Sequence, residues 1–179
     1  VNETTFCIHG GLSPKLHHVD TLNKLIQRPI YFFEDNLLVS DLVNGDPSDN
    51  SRGMFIKNPS GRGYLFNQES ISIFLRDNSL TRIIRSHQKI QNGSMRSFND
   101  RCITVYSASS YDKFENISSA IIELFQKNDA FRITTFFPIR RFSRKDAVFY
   151  KVPYVKKIEK KIPLSISLLQ PQSFANIQS

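Results

Sequence analysis

Residues 6–16 read Phe-Cys-Ile-His-Gly-Gly-Leu-Ser-Pro-Lys-Leu (FCIHGGLSPKL), and the fold turns on how this run is interpreted. Phe6-Cys7-Ile8 is an apolar, strand-like triplet. It ends in a histidine, then two glycines, then Leu-Ser-Pro. One glycine suffices for an ordinary exit from a strand. Two in succession imply backbone that passes close to something else or takes a φ that side chains disfavour. His9 is thereby placed at the lip of a sheet.

A second run repeats the pattern. IIRSHQ, residues 83–88, carries an apolar strand into a polar end that holds His87. Two strands therefore each deliver an imidazole at a terminus, although two nitrogen ligands fall short of the three or four of a catalytic metal site. In all, strands are expected at Thr4–Ile8, Thr81–Arg85, Ile103–Tyr106, Ala120–Phe125 and Phe131–Phe137, from short runs rich in β-branched and aromatic residues. Helices are expected at His18–Ile26 and at Gln68–Arg76, the latter capped by Asn67. Asn92-Gly93 predicts a tight hairpin turn between IIRSHQKI and RCITVY. The stretch from 30 to 66 reads as long loops, and the whole as a sheet-based α/β fold.

Composition bounds the function. With 179 residues, 40% apolar and 12% aromatic, the chain can bury a core. No apolar run approaches a membrane span, and the first residues have no signal-peptide pattern. Cys7 and Cys102 sit in apolar runs without metal-binding spacing, which points to reduced thiols in a cytoplasmic or nuclear protein. Cys7, between Phe6 and Ile8, is expected to pack in the core; His17 and His18 are expected at the surface. A first residue of valine, with a strand close behind it, suggests a piece of a longer protein.

The charge is uneven. Residues 1–125 hold 13 basic and 13 acidic side chains, residues 126–161 hold 11 and 3, and residues 162–179 hold none. A boundary is expected near Ile139, dividing a neutral body (1–139) from a basic and then uncharged extension (140–179). The extension is either a solvated face or an electrostatic patch.

In order along the chain stand HGGLSP, an Arg28-Pro29 step, DLVNGDP (Asp41 to Pro47), an Arg62-Gly63…Tyr64…Phe66 element, RSHQ (Arg85 to Gln88) and SASSYDKFEN (Ser107 to Asn116). This series resembles the phosphoprotein phosphatases, the serine/threonine phosphatase family that includes the type 1, type 2A and calcineurin enzymes. The likeness spans roughly residues 4–139. It implies part of a four-layer αββα calcineurin-like metallophosphoesterase sandwich with a mixed sheet. It also implies two divalent metal ions (Mn, Fe or Zn) and hydrolysis of phosphomonoesters by direct attack of metal-bound water. By this resemblance His9 and His87 match two ligands of one metal.

The family motifs GDxHG, GDxVDRG and GNHE, which carry the remaining ligands and the proton donor, do not occur here. The chain thus resembles the carboxy-terminal half of a catalytic domain, with no catalytic acid of its own and no activity expected alone. Arg62 is the candidate for a phosphate-binding arginine, although the family spacing counted back from Phe66 falls on Ser60. Tyr111 is the candidate tyrosine of the loop overhanging the phosphate. The tryptophan of the family's WSDP element is Asn44. Phosphoserine and phosphothreonine proteins are the implied substrates and regulatory subunits the implied partners. The alternatives are a degenerate relative kept for binding or scaffolding, and a nucleic-acid module using the basic extension.

Overall fold

The structure, a computed structural model, describes residues 1–109, 116–126, 129–138 and 145. Its centre is a four-stranded mixed sheet in the order β1 (Thr5–Cys7), β5 (Arg82–Arg85), β7 (Cys102–Val105), β6 (Ser94–Ser97). β1 and β7 both run parallel to β5, with Thr5 opposite Arg82 and Ile84 opposite Ile103, and β6 is antiparallel to β7. Parallel neighbours place both histidine-bearing strand ends at the same edge of the sheet.

Alternation along these strands divides the core in two. Ile83 and Cys102 face one side, with Leu12, Leu42, Phe66, Ile71, Phe74 and Leu75. Ile84, Ile103 and Val105 face the other, with Ala120 and the partly buried Ile122, Leu124, Phe131 and Ile133. The first side is closed by α3 (Gln68–Asp77) and by α2 (Leu37–Asn44). The second is covered by the hairpin of β8 (Ser119–Leu124) and β9 (Phe131–Phe136). Phe66 and Ile71 are fully buried, and truncating such a side chain costs about 2–5 kcal/mol.

α3 starts as its sequence requires. The Asn67 side chain accepts from the Ser70 N–H at 3.0 Å, and Ile71, Phe74 and Leu75 form its buried face. The first expected helix is broken up: a 3-10 turn at Val19–Thr21 leads into a single α turn, α1 (Leu22–Leu25). Thr21 donates its hydroxyl to the His18 carbonyl, one of the local bonds by which such residues compete with a continuous helix.

The stretch from 30 to 66 is structured, not a run of long loops. Asn36 accepts from the Val39 N–H at 3.1 Å and so caps α2. A three-stranded sheet follows, with β2 (Asp46–Pro47) parallel to β4 (Tyr64–Phe66) and β3 (Phe55–Lys57) antiparallel to it. Asn92-Gly93 is not a tight hairpin turn either. Gly93 stands just before β6 with φ +78°, and a Cβ there would lie 2.5 Å from the Ser119 backbone. The reversal from β6 to β7 is made by Phe98, Asn99 and Asp100, all at positive φ. Cys7 also departs from expectation: it is exposed while Cys102 is buried, because β1 is the edge strand of its sheet. His17 and His18 are exposed as expected. Among the described residues no helix is long and apolar enough to cross a membrane. Ile139 and the basic extension, Lys145 apart, lie outside the described residues.

Candidate metal centre

The two glycines after His9 are explained by close approach. A Cβ on Gly10 would stand 2.3 Å from the Val43 carbonyl oxygen, and one on Gly11 would stand 2.2 Å from the Phe66 ring. The N–H groups of both glycines donate to the Leu42 carbonyl, at 2.9 and 3.1 Å. The loop is thereby pressed against the carboxy-terminal turn of α2. Ser13 donates its hydroxyl to the buried Asp41 carboxylate at 2.7 Å, which ties the same two segments again.

This packing presents His9 towards His87. The two imidazoles meet with ring centres 5.3 Å apart and planes at 74°. A nitrogen about 2.0–2.1 Å from an ion sets its ring centre about 3.2 Å away, so two rings at an octahedral or tetrahedral angle have centres about 4.5–5.2 Å apart. The observed 5.3 Å is close to the tetrahedral end of that range. Both residues are exposed, so an ion and a ligand can reach them. His87 has its pKa lowered; desolvation of the ring is the largest cause, opposed by Asp46 and assisted by Arg85 and His9. A lowered pKa favours the neutral imidazole, the form that ligates metal. Among the described residues, no third His, Cys, Asp or Glu joins the pair.

Arg85 lies beneath the pair with its side chain fully buried. Its Nε–H donates to the Gly10 carbonyl. Nη1 donates to the Gln88 side chain at 2.6 Å and to the Thr104 hydroxyl at 3.5 Å. Nη2 donates to the Gly45 carbonyl at 3.2 Å and to the Asp46 carboxylate at 2.9 Å. Asp46 also accepts from the Asn58 side chain at 2.9 Å. Burial lowers the pKa of Arg85 and the Asp46 charge opposes that. A buried cation is tolerated only with such a full set of partners.

The other candidates fall elsewhere. Arg62 lies in the turn joining β3 to β4, exposed, with its guanidinium 3.9 Å from Glu34. Its neighbour Ser60 donates to the Arg62 carbonyl. Among the described contacts none joins Arg62 to either histidine. Tyr111 lies outside the described residues. The residue that sequence reasoning underrates is Arg85, which stands out only as the first letter of RSHQ.

A mixed α/β core with two histidines converging from parallel strand ends defines a class, and comparison with known proteins agrees with it. The calcineurin-like phosphoesterase family matches residues 1–91, just over half of the chain. The chain belongs to that family. It is 34% identical over 138 residues to the serine/threonine-protein phosphatase PP2A-like PPG1 of Saccharomyces cerevisiae, covering 72% of this chain and 37% of that protein. It is 31% identical over 127 residues to a protein phosphatase 2A catalytic subunit of Dictyostelium discoideum, covering 71% and 40%. A solved Saccharomyces cerevisiae protein serine/threonine phosphatase, described as similar to human phosphatase PP5, superposes with a TM-score of 0.60 at 22% identity. That match covers 78% of this chain and 46% of that structure, and it supports the fold. The chain thus spans about two-fifths of the length of these curated relatives.

Proposed function

We propose that the chain is the carboxy-terminal half of the catalytic core of a metal-dependent serine/threonine phosphoprotein phosphatase. The observation that carries this reading is the approach of His9 and His87 to a spacing that suits one shared ion, within a chain whose relatives are named as such phosphatases. His9 and His87 would hold one of two divalent ions, Mn, Fe or Zn. When bound, such a pair neutralises phosphoryl charge and lowers the pKa of water from about 15.7 towards neutrality. The chain's own part is to keep the two imidazoles in register at the strand ends and leave them open to solvent. Arg62 and Tyr111 are proposed to contact the phosphate; an arginine fork suits a phosphate dianion.

The substrates in this reading are phosphoserine and phosphothreonine proteins, met in the cytoplasm or nucleus and in the company of regulatory subunits. Residues 1–139 form the half-core and residues 140–179 an extension to it. The test compares the 179-residue chain with a complete catalytic unit that joins it to the upstream half. With manganese, the complete unit should release phosphate from phosphoserine peptides and the chain alone should not. Turnover by the isolated chain overturns the divided site; a well-folded complete unit that binds manganese without hydrolysing any phosphomonoester overturns the phosphatase reading.

A further inference from the structure

We infer that Arg85 is the positioning residue of the histidine pair, and that it sets metal affinity by clamping the backbone on which both imidazoles stand. The inference rests on reading His9 and His87 as metal ligands. Metal-bound imidazoles are ordinarily aimed by a hydrogen bond to the second ring nitrogen. Among the described contacts neither ring has such a bond, and the main chain supplies the aim instead. That of His87 is held at φ +62°, a sparsely populated conformation for a residue other than glycine. Something must hold it there.

The guanidinium touches the residue after each histidine. Through Nε it holds the carbonyl of Gly10, next to His9. Through Nη1 it holds the side chain of Gln88, next to His87. The remaining donors fasten this fork to Gly45 and Asp46 of a third segment, so the fork is anchored as well as bidirectional. Five donors in one rigid plane can serve acceptors on separate segments; a lysine ammonium, a point charge with three donors on a flexible stem, cannot. A purely structural arginine would account for the bonds to Gly10, Gly45 and Asp46. It would not require the link to Gln88, whose side chain is only half-buried.

The experiment uses the complete catalytic unit stripped of metal and titrated with Co²⁺, whose visible absorption reports ligation. His9→Asn identifies the absorption due to the pair. Gln88→Leu cuts the link to His87 and leaves the buried bonds of Arg85 in place, so folding should survive; thermal melting without metal checks that. Gln88→Leu should weaken Co²⁺ at the pair by about 10–100-fold, the range for supporting partners of metal ligands, with the metal-free melting temperature unchanged. Arg85→Lys should weaken it similarly, and the double variant should be no worse than the weaker single one, because the two residues act as a unit. Wild-type affinity in Gln88→Leu, or losses that multiply in the double variant, overturns the clamp while the metal site stands. Binding that His9→Asn leaves intact overturns the metal site and the clamp together.

Discussion

The main-chain N–H of Ser86 donates to the carbonyl of His9 at 3.0 Å. This bond, two residues past the paired Cys7 and Ile84, joins the two histidine-bearing strand ends directly. The convergence of His9 and His87 is thus a property of the sheet's register. A shift of one residue between β1 and β5 would send one imidazole to the opposite face.

Replacing either histidine tests the site itself. In the complete catalytic unit, His87→Asn should lower bound metal and turnover by at least about 100-fold, more than losing a supporting partner does. The fold should persist, because asparagine tolerates the left-handed backbone that His87 adopts. Metal content by elemental analysis and far-ultraviolet circular dichroism measure the two effects separately.

Arg62 is tested by truncation. Arg62→Ala should reduce turnover by roughly 10–200-fold, equivalent to the ~1.5–3 kcal/mol of a hydrogen bond to a charged group. Ser60→Ala should have little effect. Steady-state kinetics on a phosphoserine peptide decides between them; the reverse pattern would assign the phosphate contact to the position of Ser60.

The glycines of the HGG loop predict an order of damage. Gly10→Ala should destabilise by about 1–3 kcal/mol or more, because its Cβ would meet the Val43 backbone. Gly11→Ala should cost at least as much, because its Cβ would meet the fully buried Phe66 ring at 2.2 Å and the Gly45 carbonyl oxygen at 3.0 Å. Urea titration monitored by fluorescence or circular dichroism ranks the two.

Asp129 predicts a pH dependence. Its carboxylate accepts from the hydroxyls of Thr4 and Thr81, each at 2.7 Å, and from both terminal nitrogens of Arg82 at 3.0 and 2.8 Å. Burial alone would raise its pKa, but these bonds outweigh that and bring it below the usual 3.8. A depressed carboxylate stabilises the fold above its unfolded pKa, and that stability is lost as the pH falls through the folded value. Asp129→Asn should therefore cost about 1–2 kcal/mol at pH 7. The gap between variant and wild type should close as the pH drops from about 4 towards 2. Denaturation curves at several pH values give the measurement.

Much of the central sheet was legible because its signals are local. β1, β5, β7, β8 and β9 are apolar runs that form strands where expected, and Asn67 announced α3. β2, β3 and β4 are two or three residues long, too short for alternation to register. β6 is Ser-Met-Arg-Ser, polar throughout except for Met95, and offers no apolar run to read. α2 had a readable signal in Asn36 before an apolar run, hidden by the surrounding turn residues. Cys7 misled because alternation cannot tell an edge strand from a central one. Arg85 escaped notice for a different reason: arginine is almost never fully buried unless paired, and its acceptors here, the carbonyls of Gly10 and Gly45 and the side chains of Asp46, Gln88 and Thr104, are scattered along the chain and brought together only by the fold.

The parallel pairing of β1 with β5 joins Thr5 to Arg82, 77 positions apart, and this has a consequence for how the protein is made. At about 5–20 residues per second on the ribosome, β1 waits roughly 4–15 s before its partner is even synthesised. During that interval β1 lacks the parallel neighbour it pairs with in the folded sheet, and His9 stands without the second imidazole of the pair. On the proposed reading of His9 and His87, metal can load at this pair only after β5 has joined β1, so any helper that shields the early strand acts upstream of metal loading.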